Sequence, residues 1–169
     1  MSGPRRARLL AFAKINLDLR VLCRRADNYH ELRTIFQTIS LADRIDVSFT
    51  PSRKTTIRVS GNVAIPDNLM VRAAGNCLDA MRVTGEVELT LDKRIPMGAG
   101  LGGGSSDAAA VLIALPVLAG KTPGLPALVQ LAEALGSDVP FFLLGGAAVA
   151  VGVAPSSIRC PMGRRARAS

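Results

Sequence analysis

A run of glycines in the middle of the chain constrains the fold more than any other feature. Five glycines fall within seven residues, from Gly98 to Gly104, between an alternating segment and a long apolar one. Glycine permits positive φ angles and lets the backbone approach a ligand closely, because it has no Cβ atom. The first turn of a following helix also presents unpaired N–H groups and the positive end of the helix dipole. A strand, a glycine loop and a helix start, in this order, predict a binding site for phosphate.

Two common nucleotide-binding motifs contain glycine runs, and neither fits this chain. A Walker A loop ends in Gly-Lys followed by Ser or Thr, because its lysine reaches the β- and γ-phosphates, whereas Gly104 is followed directly by serine. Gly98, Gly100 and Gly103 match the dinucleotide fingerprint, but that motif also needs an acidic residue at the end of a second strand about 20 residues later. Residues 120–123 read Gly-Lys-Thr-Pro instead. A turn without function is the remaining alternative, and five glycines between a strand and a helix exceed what a turn requires.

Hydrophobic periodicity predicts strands and helices along the body of the chain. The predicted strands cover residues 9–23, 31–41, 44–49, 55–60, 86–92 and 147–153, with a turn at Asp27 and Asn28. The predicted helices cover residues 69–81 with Asp67 as the cap, 106–119 with Ser105 as the cap, 125–135 before Gly136, and a short segment that starts within residues 138–140 and ends before Gly145. Pro116 should kink or end the second of these helices, because proline lacks an N–H group and clashes with the preceding turn.

The net charge of +8 comes almost entirely from the two ends of the chain. Three arginines lie within residues 5–8 and four within residues 159–167, which leaves 14 basic and 13 acidic side chains in residues 9–158. A nearly neutral body with one Tyr and no Trp argues against a nucleic-acid-binding face.

Composition also indicates the cellular compartment of the protein. Apolar residues make up 49% of the chain without a window of 18 uninterrupted apolar residues, so we expect no membrane span and no secretory signal. The three cysteines are far apart and His30 is the single histidine, so neither a zinc site nor a disulfide framework is expected. These features predict a cytoplasmic protein without a metal site of its own.

Three separated segments of the chain resemble those of the GHMP kinases, a superfamily of small-molecule kinases. The first is Ala-Lys-Ile-Asn-Leu at residues 13–17, followed by Arg-Arg-Ala-Asp-Asn-Tyr-His-Glu-Leu at residues 24–32. The second is the glycine segment Pro96–Asp107, and the third is Gly-Ser-Asp-Val-Pro-Phe-Phe at residues 136–142. Order and spacing agree over residues 9–152. The resemblance is closest to the members that phosphorylate the 2-hydroxyl of 4-diphosphocytidyl-2-C-methyl-D-erythritol, in non-mevalonate isoprenoid biosynthesis.

The resemblance implies the fold, the cofactors and the roles of particular residues. It implies an α+β fold over residues 9–153, the N-terminal ATP-binding domain of the family, with a mixed sheet and helices on one face. ATP with Mg²⁺ would phosphorylate a small cytidine-diphospho substrate. Asp138 would accept the proton of the substrate hydroxyl, and Lys14 would orient Asp138 and offset developing charge. Asn16, Tyr29 and His30 would contact the substrate. The ATP phosphates would be held by Pro96, Met97, Gly98, Ala99, Gly100, Leu101, Gly102, Gly103, Gly104, Ser105 and Ser106.

Other interpretations of these residues remain open at this level. Without the resemblance, a plain helix cap for Asp138 and a strand residue with a solvated ammonium for Lys14 would be favoured. Tyr29 and His30 would equally suit a packed turn. An inactive nucleotide-binding fragment, a GHMP kinase for homoserine, mevalonate or a sugar, and, more remotely, a dinucleotide-dependent oxidoreductase are the alternative functions.

The chain also departs from the family. Phe12 stands where members have proline, Cys23 and Asn28 stand where they have glycine, and Pro116 stands where no proline is usual. Residues 154–169 contain mainly Arg, Ala, Ser and Pro, so we expect a disordered tail there and a separate basic segment at residues 1–8. We expect that the second domain of the family is missing, through a frameshift or premature termination after about Gly152.

Overall fold

A computed structural model describes residues 3–24 and 29–155. The predicted turn at Asp27 and Asn28, the side chain of Cys23 and the predicted tail beyond residue 155 lie outside what is described. The described residues contain strands β1 (Arg5–Arg24), β2 (Tyr29–Pro51), β3 (Thr56–Gly61), β4 (Gly85–Asp92) and β5 (Ala147–Pro155) and helices α1 (Leu69–Met81), α2 (Gly103–Leu118), α3 (Leu125–Leu135) and α4 (Val139–Leu144). Among these residues, residues 3–15 and 38–146 form one compact unit, and residues 16–24, 29–37 and 147–155 form a second.

The first unit contains a mixed sheet with the strand order β1-β2-β4-β3. Strands β2 and β4 are antiparallel, with Ile45 opposite Leu91 and Phe49 opposite Val87. Strands β3 and β4 are parallel, and α1 connects them. A parallel pair needs such a crossover connection.

Alternation along β4 decides which face of this sheet is covered. Val87, Leu89 and Leu91 are buried, whereas Glu88 and Thr90 between them are exposed. The buried side chains share one core with helices α1 and α2, to which each helix contributes buried residues such as Leu78 and Leu112. The predicted fold class, an α+β domain with a mixed sheet and helices on one face, is therefore confirmed.

The second unit is built from parts of three strands. Strand β5 pairs antiparallel with the first part of β2, so that Ile35 lies opposite Val149 and Tyr29 lies opposite Pro155. The Asn16 side chain of β1 donates to the hydroxyl of Thr34, with 2.8 Å between Nδ2 and Oγ1. The Thr34 hydroxyl in turn donates to the carbonyl oxygen of Asp18 at 2.7 Å.

Two predicted helix caps are wrong, for local geometric reasons. Asn68, not Asp67, caps α1, because its side-chain oxygen accepts from the N–H group of Met70 at 3.0 Å. Asp67 has a φ of 49° and lies one residue earlier. Helix α2 begins at Gly103 rather than Ser106, because Gly102 occupies the cap position and its carbonyl already accepts from the Ser106 N–H group at 2.9 Å.

Several boundaries also differ from the prediction. The two strands predicted within residues 31–49 form one continuous strand, β2. Strand β1 begins at Arg5 inside the predicted basic segment, since Arg8 pairs with Asp46 and the Arg5 guanidinium donates to the Leu118 carbonyl. Helix α2 continues two residues past Pro116 before it ends at Leu118. In the described part of the chain, no helix is long and apolar enough to cross a membrane.

Candidate active site

The glycine loop lies between β4 and the first turn of α2 and borders a cavity. Residues 96–104, Ile65 and Lys93 line this cavity, whose volume is about 240 Å³. Because α2 begins at Gly103, the N–H groups of Gly103, Gly104 and Ser105 belong to a first helical turn, in which backbone donors have no partner within the helix. Each of these donors could bind a phosphate oxygen.

Gly102 is the position at which the loop most needs glycine. Its φ is 71°, and a Cβ atom there would lie 2.6 Å from the ring of Phe142 and 3.2 Å from Cγ of Lys14. The loop backbone therefore packs directly on α4 and on the stem of Lys14. This contact joins the three sequence segments that carry the resemblance.

Lys14 is fixed at the site by its backbone as well as its side chain. Its N–H group donates to the carbonyl oxygen of Leu101 at 2.9 Å, which attaches β1 to the loop. The Lys14 side chain is only 7% exposed. The interpretation of Lys14 as a strand residue with a solvated ammonium is therefore wrong.

Asp138 lies immediately before α4 and faces Lys14. Its Oδ2 atom is 3.7 Å from Nζ of Lys14, an ion-pair distance rather than a hydrogen-bond distance. Although Asp138 occupies the cap position of α4, its side chain makes no capping hydrogen bond. The Ser137 hydroxyl lies 3.5 Å from its other carboxylate oxygen, and the Asp138 side chain is 34% exposed. The carboxylate is thus directed at Lys14 and remains accessible, and the plain helix-cap interpretation is wrong.

The predicted substrate contacts belong to the second unit. Asn16 is exposed and bonded to Thr34, as described above. Tyr29 and His30 begin β2, with their backbones opposite Pro155 and Ala154 of β5. Their roles stay predictions.

A buried charged cluster, which was not predicted from the sequence, lies beneath the loop. Nζ of Lys93 donates to Oδ2 of Asp43 and to Oδ2 of Asp107, at 2.6 Å each. Side-chain exposure is 7% for Lys93, 0% for Asp43 and 3% for Asp107. Burial raises the pKa of Asp107 to about 7 in spite of the neighbouring Lys93 ammonium. The available sequence signal was a lysine and an aspartate that flank the glycine loop on its two sides.

The comparisons with known proteins agree with this geometry. Residues 68–146 match the model of the GHMP kinases N terminal domain. A protein of Solibacter usitatus called 4-diphosphocytidyl-2-C-methyl-D-erythritol kinase is 68% identical over 152 residues, which are 90% of this chain and 48% of that protein. A protein of the same name from Thermus thermophilus is 51% identical over 144 residues, or 85% of this chain and 50% of that protein. The chain thus spans about half the length of these relatives.

Solved structures of kinases also superpose on this chain. A crystal structure of 4-(cytidine 5'-diphospho)-2C-methyl-D-erythritol kinase superposes with a TM-score of 0.76 and 48% identity, covering 88% of this chain and 55% of the other. The homoserine kinase of Cytophaga hutchinsonii superposes with a TM-score of 0.60 at 17% identity, covering 92% of this chain and 52% of the other, and shares the fold.

Proposed function

We propose that this chain is a domain of the GHMP kinases, whose N-terminal domain matches residues 68–146, and that it forms the ATP-binding half of a kinase acting on 4-diphosphocytidyl-2-C-methyl-D-erythritol. The reaction would transfer the γ-phosphoryl group of ATP to the 2-hydroxyl of that substrate, in a cytoplasmic, non-mevalonate route to isoprenoids. Residues 9–153 would form this domain. The substrate is that named for the relatives with 68% and 51% identity.

One observation carries the chemical part of the proposal. Lys14 joins the glycine loop through its backbone and faces Asp138 through its side chain, with 3.7 Å between Nζ and Oδ2. Phosphoryl transfer needs a cradle for the phosphates, positive charge near the transferred group and a residue that orients the attacking hydroxyl. The loop, Lys14 and Asp138 provide these three functions side by side.

Each residue then has a defined part in the reaction. The N–H groups of Gly103, Gly104 and Ser105, with the hydroxyls of Ser105 and Ser106, donate to phosphate oxygens of ATP. Asp138 accepts the proton of the substrate hydroxyl as the new oxygen–phosphorus bond forms, while the bond between the γ-phosphorus and the bridging oxygen breaks and ADP leaves. Lys14 keeps that carboxylate oriented and offsets the charge of the transferred phosphoryl group. Asn16, Tyr29 and His30 contact the cytidine-diphospho substrate.

Magnesium fits this site as a companion of the nucleotide. Among the residues that the structure describes, no group of three or more His, Cys, Asp or Glu side chains could hold a metal ion. Mg²⁺ usually retains several waters and binds through substrate phosphates. It would therefore enter on the phosphates of ATP, where it neutralises their charge.

Asp138→Asn in the full chain tests this function. We expect phosphoryl transfer to the cytidine-diphospho substrate to fall by roughly 10²- to 10⁴-fold, the usual contribution of a positioned base. The affinity for a non-hydrolysable ATP analogue should stay within about threefold, because Asp138 does not belong to the phosphate cradle. Transfer is followed by mass spectrometry of the product and affinity by isothermal titration calorimetry. Glu133→Gln, which changes an exposed carboxylate on α3, is the matched control.

The outcomes separate the possible functions. Unchanged transfer by the Asp138→Asn variant would refute the role of Asp138. Binding of the analogue by the wild-type chain without any transfer would correspond to an inactive nucleotide-binding fragment. Transfer to homoserine or mevalonate in preference to the cytidine substrate would assign a different GHMP kinase activity. A wild-type chain that binds no ATP analogue would overturn the proposal altogether.

A further inference from the structure

The cluster of Asp43, Lys93 and Asp107 joins three different elements at one ammonium group. Asp43 belongs to β2, Lys93 follows the end of β4, and Asp107 lies in the first turns of α2. Both carboxylates accept from Nζ of Lys93, and all three side chains are almost fully buried. A buried lysine with two carboxylate partners requires all of these elements to keep their relative positions.

The cluster holds the residues on either side of the glycine loop. At the entry to the loop, Oδ1 of Asp43 accepts from the N–H group of Ile95 at 2.8 Å and from that of Arg94. At the exit, Asp107 is held by Lys93. Lys93 and Asp107, which are 14 positions apart in the chain, therefore close the loop segment through a short ionic contact.

The loop also rests directly on the ammonium group. A Cβ atom at Gly103 would lie 2.8 Å from Nζ of Lys93 and 3.0 Å from Cγ2 of Ile95. Gly103 is the first residue of α2, where the N–H groups of the cradle begin. The position of Lys93 Nζ thus sets how closely the start of α2 approaches the end of β4.

Asp107 carries a feature that helix packing alone does not account for. Its Oδ1 atom is buried and has no hydrogen-bond partner, while Oδ2 is bonded to Lys93. An apolar side chain of similar size would avoid this unsatisfied oxygen. The carboxyl group at this position is therefore explained by its bond to Lys93.

We propose that Asp43 and Asp107 are positioning residues which, through the Lys93 ammonium, hold the two ends of the glycine loop together and so set the affinity for a nucleoside triphosphate. The inference rests on the proposed function in that it takes the loop as the phosphate site. Neither carboxylate needs to touch the nucleotide. Their effect is to keep the backbone donors of the loop at the spacing that phosphate oxygens require.

Two substitutions at Asp107 separate positioning from charge. Asp107→Leu has a similar size but no acceptor, so it releases the exit of the loop from Lys93. Asp107→Asn retains an acceptor oxygen for Nζ and serves as the conservative rescue. Asp46→Leu, which removes a surface carboxylate paired with Arg8, is the matched control.

Two measurements on the full chain show the effect of these substitutions on the loop and on nucleotide binding. In the absence of nucleotide, hydrogen–deuterium exchange of residues 96–104 should be about tenfold faster in Asp107→Leu, with exchange in β4 unchanged. The dissociation constant of a non-hydrolysable ATP analogue should rise about tenfold, as expected for one lost hydrogen bond between charged groups. Asp107→Asn and Asp46→Leu should stay within about twofold of the wild type in both measurements.

Each outcome decides between support and refutation. Unchanged exchange in Asp107→Leu, or faster exchange without weaker binding, would overturn the positioning role. Weaker binding in Asp107→Asn equal to that in Asp107→Leu would also overturn it. Failure of the wild-type chain to bind the analogue would instead remove the proposed function, while loop exchange still reports on the cluster. If circular dichroism shows that Asp107→Leu is unfolded, Asp107→Ser replaces it with the same expectations.

Discussion

Replacing Asp107 by Asn should flatten the pH dependence of stability near neutrality. The structure buries this carboxyl group with one oxygen unpartnered, and burial raises its pKa from 3.8 to about 7. The Lys93 ammonium favours the ionised form, whereas the nearby Asp43 opposes it. Asn cannot ionise and resembles the protonated carboxyl group in shape, so the variant removes this one titration and little else.

The sign and size follow from proton linkage. The folded state holds the Asp107 proton more tightly than the unfolded state does. The contribution of Asp107 to the free energy of unfolding is therefore greatest below about pH 4 and is lost as the pH rises to about 7. At about 1.4 kcal/mol for each unit of pKa, the full loss is about 4 kcal/mol, of which about 3 kcal/mol falls between pH 5 and pH 8. In a chain of this length, about 3 kcal/mol lowers the Tm by roughly 8 °C.

Thermal unfolding at pH 5 and pH 8 measures this effect. The decrease in Tm from pH 5 to pH 8 should be about 8 °C larger for the wild type than for Asp107→Asn. Asp46→Asn is the control, because the Arg8 guanidinium lowers the pKa of Asp46 and its titration lies below this range. Parallel Tm curves for the wild type and Asp107→Asn would refute the reasoning.

Two further substitutions test the local structure of the first unit, each by chemical denaturation. Gly102→Ala should lower the free energy of unfolding by about 2 kcal/mol or more, because it adds left-handed strain to a clash with the Phe142 ring. Gly104→Ala is the control and should not lower it, because that position in α2 faces open space. Equal losses in the two variants would contradict this explanation. Asn68→Ala should cost about 1 kcal/mol through loss of the α1 cap. Asp67→Gly removes the side-chain acceptor and suits the positive φ of this position, so it should not lower stability; a loss as large as that in Asn68→Ala would return the cap to Asp67.

Much of the fold could be predicted because its signals are local. Alternation of Val87, Leu89 and Leu91 with polar residues predicted β4, and the structure buries those three side chains. Helices α1, α3 and α4 begin and end close to the predicted residues for the same reason. The caps were harder, because Asp67 and Asn68 are both good capping residues and the choice depends on one φ angle.

The candidate site was predicted in part. The loop was predicted from its glycine run, whereas Lys14 and Asp138 were predicted through the resemblance; the structure places Nζ of Lys14 3.7 Å from Oδ2 of Asp138. Asp138 occupies the cap position of α4, so the sequence could not predict that its side chain makes no capping hydrogen bond. The direction of the Asp138 carboxylate depends on the position of β1, because β1 carries Lys14.

Local sequence patterns were sufficient to predict most strands and helices of this protein and the glycine loop between β4 and α2. Each of these depends on residues that are neighbours in the chain. By contrast, the contacts of Lys93 with Asp43 and Asp107, which are 50 and 14 residues away from it, arise only when the chain folds. Isolated charged residues are ordinarily solvated, and they become a buried cluster beneath the loop only because the packing of β2, β4 and α2 excludes water from all three.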